Sequence, residues 1–525
     1  MVLKLSKLVV YILLATIVAM LLVMNIVIDV NISWLEKVDM YLTNIYTVIF
    51  TGMLIVTLLL IKKFSEFLNE KAKMLLIVFG IACYIIISII LVSVYRKEPT
   101  ADSLKVHNAA VEIIEGSASP ESTDYLRKYP NQIGITSVLV GIYKIFNTLD
   151  YQVIRYINVL CNFITITMLY LIFKRISDKN EQNKFMFFVV ILSFYPLLLL
   201  STFVYGDFIG LSASCVGIYC LMRYISEEKI RYLIIAAFAM ATAYLVRTNY
   251  LIFIIASEIY LFLGFIDIFK QTRLNEKVTQ IILMVVFLVI SVGLGSTYTK
   301  YIQKRFDFVD KSMPINAWIY TGMLESPGLA NGWYNIGVTV LGFVDIESAE
   351  EKCEEGISER LEYFTSNPMY ATKFYLKKIT SMWAETTYQS VMYNTYPPLN
   401  LLEYWDEWME EGTLYGDFAA GTIHDWLEYY GKAINILMYS GVLLYLLKFR
   451  KDININAMYI MIIFLGGFFF HIIWEGKSRY VLPYFIMIIP IGVTGISAVS
   501  FRIKKKIEEN KNKLIENKKE LIDVK

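Results

Sequence analysis

Residues 74–102 read MLLIVFGIACYIIISIILVSVYRKEPTAD, and they decide the class of fold. The first 21 of them contain no charged side chain, and about 20 apolar residues are enough for a helix to cross a bilayer. The charged and proline-containing segment 95–102 then ends the apolar run. This stretch therefore predicts a transmembrane helix that delivers Asp102 to a loop at the membrane surface.

The rest of the chain follows the same pattern. Its 525 residues are 57% hydrophobic and 18% charged, with a mean hydropathy of +0.53, which excludes an ordinary soluble protein and a disordered one. With 49 basic and 47 acidic residues, a strongly basic nucleic-acid-binding protein is excluded as well. We predict an all-α polytopic membrane protein with about 12 transmembrane helices, near residues 9–28, 43–61, 74–94, 152–173, 185–204, 208–225, 230–246, 249–269, 278–298, 434–447, 455–473 and 479–498.

Lys and Arg concentrate in alternate short loops, after residues 61, 173, 269 and 447, and near both termini. The positive-inside rule places these loops and termini in the cytoplasm, so that loops 95–151 and 299–433 lie outside. The apolar segment 133–148 contains Lys144 and is short, and a further span there would invert every later loop. We therefore expect it to be a helix in the outer interface, with Lys144 reaching the headgroups.

This pattern divides the chain into a two-helix segment (1–73), a membrane core (74–298), an outer loop region (299–433), the last membrane helices (434–500) and an amphipathic cytoplasmic tail (501–525). Region 299–433 has 20 acidic and 10 basic residues and aromatic motifs such as NGWYN (331–335). We expect short helices there, around 348–364 and 368–383.

Two acidic residues and an arginine stand near predicted outer ends of spans. Asp102 either caps a helix over 103–115, as Ser103 also could, or takes part in chemistry. Asp207, in the short turn after Tyr205, either stabilises that turn or orients an acceptor. Arg247 breaks the positive-inside pattern, because it joins two spans on the outer side.

The densest charged group precedes the last span, in HIIWEGKSRYVLPYF (471–485). Two cations there, Lys477 and Arg479, are unexpected on the outer side, and a bound anion would explain them. Neutralisation by Glu475 or contact with lipid headgroups is the alternative. The three histidines are too far apart to form a metal site by spacing, whereas a divalent metal held by carboxylates is left open.

Four segments, PTAD (99–102), HNAAVEIIEG (107–116), YLRKYPNQIG (125–134) and EGKSRYVLPYF (475–485), together resemble the membrane-embedded GT-C glycosyltransferases. The resemblance is to bacterial relatives of protein O-mannosyltransferases and aminoarabinose transferases, from about residue 74 onward. It implies a polyprenyl-phosphate sugar donor and a catalytic acidic residue at Asp102. It also implies that Tyr129, Pro130 and Asn131 shape the same loop and that Arg479 and Tyr480 lie at the phosphate end. Two spans precede the one that matches the family's first.

The resemblance thus implies a hexosyl or pentosyl transferase acting by inverting single displacement on a glycan, lipid or protein of the cell envelope. Lys477, Arg479 and Arg247 would bind the donor phosphate, and Asp102, or else Asp207, would serve as the base. Membrane lipids are expected partners and nucleic acid is not. A polytopic lipid or glycan transporter, or flippase, is the alternative, although no internal repeat is evident. A non-catalytic scaffold in an envelope-polymer assembly is a further one.

Overall fold

The computed structural model describes residues 2–33, 36–117, 119–177, 183–269, 274–305, 312–326, 328–339, 345–395, 413–450 and 453–498. The predicted amphipathic tail, 501–525, lies outside these residues. The described chain is almost entirely helical, which confirms the predicted fold class. Its long apolar helices are Val2–Val27, Ile45–Phe67, Glu70–Val94, Gln152–Ile176, Asp207–Glu227, Leu251–Phe269, Leu274–Arg305, Thr422–Phe449, Ile455–Ile473 and Ser478–Ala498.

These ten helices are long and apolar enough to cross a membrane. In the described chain, the other two predicted spans correspond to one short helix and one bent pair of helices. Ile230–Val246 is a shorter apolar helix. The span predicted over 185–204 is broken into Lys184–Ser193 and Tyr195–Thr202, which are bent by 52°. Pro196 explains the break, because it lacks an N–H group and is tolerated only in the first turn of the second piece.

The remaining elements lie between the long helices. Residues Ile28–Ile32 and Val38–Leu42 pair as an antiparallel hairpin, with Asp29 opposite Tyr41, which the sequence reasoning did not predict. The shorter helices are Ala101–Glu115, Pro120–Lys128, Ile133–Phe146, Asn316–Thr321, Ile336–Thr339, Ile346–Ser366, Pro368–Trp383, Ser390–Thr395 and Leu414–Ala419, with 3-10 turns at Pro130–Gln132, Leu200–Thr202 and Thr248–Tyr250. The helices expected at 133–148, 348–364 and 368–383 are confirmed as helices.

The last helix, Ser478–Ala498, is the most buried of the candidate spans. It packs against Thr422–Phe449 so closely that a Cβ on Gly495 would lie 1.9 Å from the carbonyl oxygen of Gly441. Small residues allow such backbone approach between helices in a membrane. Arg479, in the first turn of this helix, is buried at the same time.

Several helix ends meet at one end of the bundle. We call this end, which includes Arg155 and Lys378, the site face. Arg155, near the start of Gln152–Ile176, donates from Nε to the carbonyl oxygen of Thr202 (2.8 Å) and from Nη1 to that of Tyr95 (2.7 Å). Lys378 donates to the carbonyl oxygens of Ile472 (2.9 Å) and Trp474 (2.8 Å). Both predicted large loops therefore leave from the site face, and these buried cations tie their backbones to the helix ends.

The sidedness of the site face gives the first testable prediction. Both loops should be extracytoplasmic, because Lys and Arg concentrate at the opposite helix ends. In a chain with Cys83 replaced by Ser, a cysteine at the exposed Ser358 should react with a membrane-impermeant maleimide in intact cells. A cysteine in place of the exposed Lys71 should react only after permeabilisation. The reverse labelling pattern would overturn the assignment.

Candidate functional site

The site is built around a short turn, Tyr205–Gly206–Asp207, that precedes the helix Asp207–Glu227. Asp207 is the first residue of that helix, where a carboxylate is stabilised by the positive end of the helix dipole. Only a glycine fits at position 206, because a Cβ there would lie 2.7 Å from the carbonyl oxygen of Val246. This close approach places the turn beside Arg247.

Two arginines share the carboxylate of Asp207. Nη1 of Arg247 lies 2.8 Å from Oδ1, and Nη1 of Arg479 lies 3.0 Å from Oδ2. The three side chains are only 14%, 7% and 19% exposed for Arg247, Arg479 and Asp207, so both ion pairs are largely withdrawn from water. The group carries two positive charges and one negative charge, and it therefore has a net capacity for an anion.

Aromatic rings surround the two guanidinium groups. The guanidinium carbon of Arg479 lies 4.5 Å from the ring centre of Phe203 and 4.9 Å from that of Tyr393. The guanidinium carbon of Arg247 lies 4.8 Å from the ring centre of Tyr480. Cation–π contacts of this kind hold a guanidinium group in place without consuming its N–H donors. Within the described chain, Nε of Arg479 is buried and has no hydrogen-bond partner.

Two clefts adjoin this group. One is bordered by Asp207 and Arg479 and by apolar side chains; they are Leu200, Phe203, Phe208, Leu211, Leu482 and Pro483. The other lies on the side of Arg247 and Tyr480 and also reaches Asp207. The site thus offers buried cations at the head of an apolar cleft, which suits a ligand with an anionic head and a hydrocarbon chain.

Asp102 lies in the first turn of Ala101–Glu115 and its side chain is exposed. The expectation that it caps this helix is wrong: the helix begins at Ala101, and Ser103 Oγ accepts from the backbone N–H of Thr100 (3.1 Å). Gly116 ends the helix in the left-handed conformation, which glycine adopts without a steric cost. Ala101 has φ +50°, a left-handed conformation that costs about 1 kcal/mol for such a residue. The carboxylate of Asp102 is therefore held on strained backbone without a capping role.

Asp102 acts electrostatically on tyrosines near the two arginines. Burial raises the pKa of Tyr205 above its usual range, and the Asp102 carboxylate raises it further, whereas Arg247 and Arg479 lower it. Burial and the same carboxylate also raise the pKa of Tyr129. Asp102 and both arginines therefore lie within electrostatic range of one phenol, that of Tyr205.

The segment that joins the helices Pro120–Lys128 and Ile133–Phe146 also contacts these tyrosines. Tyr205 donates from its hydroxyl to Oε1 of Gln132 (2.6 Å), in the 3-10 turn Pro130–Gln132. Asn131, in the same turn, is exposed. The ring of Tyr129 packs against that of Trp318, with centroids 5.9 Å apart. Tyr129 is thus fixed by Trp318 within electrostatic range of Asp102, and Asn131 lies two residues further along the chain.

The cations of segment 475–479 pair with distant carboxylates. Lys477 Nζ lies 2.5 Å from Oε1 of Glu36, in the hairpin, and Arg479 pairs with Asp207. In the described part of the chain, neutralisation by Glu475 is therefore not the arrangement adopted. Burial raises the pKa of the Glu475 carboxyl to about 7, Lys477 opposes this, and Asp102 adds to it.

The structure brings most of the candidate residues together: Asp102, Tyr129, Asp207, Arg247, Lys477, Arg479 and Tyr480 all lie at the site face. Sequence reasoning missed Glu36, Gln132, Phe203 and Tyr393, which contact these residues from remote parts of the chain. A separate group of possible metal ligands, His424, Asp425 and Glu428, lies at the start of Thr422–Phe449.

Comparison with known proteins gives one family match. Residues 135–294 match the family of dolichyl-phosphate-mannose-protein mannosyltransferases. This confirms, for those residues, the resemblance to membrane glycosyltransferases that the sequence motifs indicated. The matched range contains Asp207 and Arg247, whereas Asp102 and Arg479 lie outside it.

The chain also has a distant likeness to solved structures of an archaeal oligosaccharyltransferase from Archaeoglobus fulgidus. The apo form and a complex with an inhibitory peptide and a dolichol-phosphate each give a TM-score of 0.41 and 11% identity over 83% of this chain. This chain spans about half of their length (52%). No curated protein sequence matches the chain.

The raised pKa of Glu475 predicts a pH-dependent stability. Its pKa rises from the usual 4.5 to about 7 on folding, so folding takes up a proton between these values and stability falls as the pH rises through this window. Glu475→Gln removes the cost of the buried charge, at most about 3 kcal/mol at pH 8. The variant should have a higher thermal midpoint than the wild type at pH 8 and an equal one near pH 4.5.

The matched control is Glu354→Gln, at an exposed position of the acidic helix Ile346–Ser366. Its thermal midpoint should follow the wild-type curve at every pH. A constant difference between Glu475→Gln and the wild type from pH 4.5 to pH 8 would show that Glu475 does not change protonation in this window.

Proposed function

We propose that the protein is a membrane glycosyltransferase that moves a sugar from a polyprenyl-phosphate donor to an acceptor at the extracytoplasmic surface of the membrane. The observation that carries the proposal is the pair of buried arginines at the head of an apolar cleft, with the exposed carboxylate of Asp102 within electrostatic range of the same tyrosine, Tyr205. The family match over residues 135–294 supports the same class of enzyme. The acceptor would be a glycan, lipid or protein of the cell envelope, and the sugar a hexosyl or pentosyl group.

Arg479 and Arg247 would bind the donor phosphate, with Lys477 as a third cation nearby. Arginine suits this role, because its planar group can form two parallel bonds to a phosphate. In the described chain, the buried Nε of Arg479 is a donor with its bonding capacity unused. The first carbons of the lipid chain would lie along Leu200, Phe208 and Leu482, where apolar surface lines the cleft.

Asp102 would act as the general base. It would take the proton of the acceptor hydroxyl as the hydroxyl oxygen attacks the anomeric carbon. The bond from the anomeric carbon to the phosphate oxygen breaks in the same step, and its electron pair leaves with the lipid phosphate. The arginines would stabilise the charge that develops on that oxygen. Attack from the face opposite the leaving group inverts the configuration of the sugar.

The two carboxylates would have different tasks. Asp207 is held by both arginines, so it would orient them and moderate their mutual repulsion. Asp102 is exposed and therefore accessible to an acceptor. Tyr129, Asn131 and Tyr480 would shape the acceptor and sugar subsites, since aromatic faces pack well on sugar rings.

The function is tested by offering the purified protein, in lipid nanodiscs, a panel of radiolabelled polyprenyl-phosphate sugars with an extract of envelope glycans, lipids and proteins. A transferase should release the free lipid phosphate and move the label to an acceptor. Movement of an intact lipid-linked sugar across proteoliposomes, without cleavage, would instead identify a flippase.

Asp102→Asn should be folded and should bind the donor, yet turn over about 10²–10⁴-fold more slowly than the wild type, because Asn cannot accept a proton. The matched control is Asp124→Asn on the adjacent helix Pro120–Lys128. Asp124 is also exposed, and it forms a surface ion pair with Arg127. It should retain wild-type turnover. If Asp102→Asn kept more than about a tenth of wild-type turnover, Asp102 would not be the base and Asp207 would become the candidate.

Arg479→Ala should weaken donor binding by about 10–100-fold, since a charge-assisted hydrogen bond is worth about 1.5–3 kcal/mol. Arg479→Lys should recover only part of the loss, because Lys lacks the planar group. Lys352→Ala, on the exposed face of Ile346–Ser366, is the control and should bind donor normally. Equal donor affinity in Arg479→Ala and the control would remove Arg479 from the site.

A further inference from the structure

A second group of ionisable side chains lies at the start of the helix Thr422–Phe449. His424, Asp425 and Glu428 each offer one potential ligand atom, and these atoms lie within 4.8 Å of one another. His424 and Glu428 are four residues apart, which places both on one face of the helix. His424 is 3% exposed and Glu428 is 8% exposed.

The three side chains do not form hydrogen bonds with one another. Nε2 of His424 lies 3.8 Å from Oε1 of Glu428, and Nδ1 lies 4.0 Å from Oδ1 of Asp425, both beyond hydrogen-bond range. In the described chain, Nδ1 of His424 and Oε1 of Glu428 are buried without any hydrogen-bond partner. Buried polar atoms are almost always paired, so two buried atoms without partners in one cluster of potential metal ligands point to a missing ligand.

Carboxylates outnumber the lysine side chain around this group. Lys432, one turn further along the helix, lies 3.3 Å from Oδ1 of Asp29 and is matched by that carboxylate. The buried Glu385 lies within electrostatic range of both His424 and Glu428 and adds negative charge. The helix N-terminus can stabilise the half-exposed Asp425, but it does not pair the buried Glu428. A cation placed between the three ligands would neutralise them.

We propose that His424, Asp425 and Glu428 bind a divalent transition-metal cation, Zn²⁺ or Mn²⁺. An imidazole nitrogen with two carboxylate oxygens suits these ions better than Mg²⁺ or Ca²⁺, which prefer oxygen alone. Binding at ~2.0–2.2 Å from each atom requires the ligands to close by about 1 Å, which side-chain rotation provides. The ion would fix the start of the helix Thr422–Phe449, and its role is independent of the proposed sugar transfer.

The test uses the full-length protein in detergent, stripped with chelator and then titrated with Zn²⁺ or Mn²⁺. The wild type should retain about one equivalent of metal after desalting, measured by mass spectrometry, and its thermal midpoint should rise on binding. Glu428→Gln and His424→Gln should each weaken binding at least tenfold. The control, Glu351→Gln with Glu355→Gln, removes an exposed acidic pair with the same four-residue spacing and should bind as the wild type does.

The sign of the stability change separates this proposal from a merely buried carboxylate. Without metal, Glu428→Gln should be more stable than the wild type, because a buried charge is removed. With metal, the order should reverse. Failure of the wild type to retain stoichiometric metal, or affinities of both single variants within twofold of the wild type, would overturn the proposal. Should either variant not fold, Asp425→Asn, at a half-exposed position, must show the tenfold loss instead.

Discussion

The carboxylate of Asp207, shared between Arg247 and Arg479, is the interaction on which the site depends. Two like charges this close and this far from water would repel each other strongly, and one carboxylate between them makes the arrangement tolerable. It also joins three helix ends that are far apart in sequence: the start of Asp207–Glu227, the end of Ile230–Val246 and the start of Ser478–Ala498. The geometry of the cleft therefore follows from an ion-pair group rather than from apolar packing alone.

Other buried cations bind the carbonyl groups of the irregular backbone around the site. Arg155 binds carbonyl oxygens that precede Asp102 and Asp207, and Lys378 binds those at the end of Ile455–Ile473. Carbonyl groups at helix ends have no partner within the helix, so a cation that collects several of them satisfies backbone and charge together. Arg155 and Lys378 thus hold the turns that carry the site residues, although neither of them lines the clefts.

The spans could be predicted from the sequence because hydropathy is a local property, and so could the loops that carry Asp102 and the aromatic motifs. Contacts between remote segments could not. Lys477 pairs with Glu36 across 441 residues, and the hairpin that holds Glu36 is a two-stranded element too short to give a strong pattern. The suggestion that Asp102 caps a helix was a local inference, and it failed because the helix begins at Ala101, with Thr100 as the N-cap residue and Ser103 completing the capping box. His424 was compared only with other histidines, although the possible ligands that cluster with it are Asp425 and Glu428.

Asp207 and Asp102 have different surroundings, and these suit the two carboxylates to different roles. Asp207 is withdrawn from water and bound by two cations, so protonating it would release both arginines into a buried site without compensation, at considerable cost. Asp102 has no such partners in the described chain and lies on exposed, strained backbone. A base has to gain a proton during the reaction and lose it afterwards, and a group whose charge supports two neighbours is poorly suited to that cycle. In the proposed transfer, Asp207 would therefore hold the two arginines in place, and Asp102 would be free to exchange protons with the acceptor.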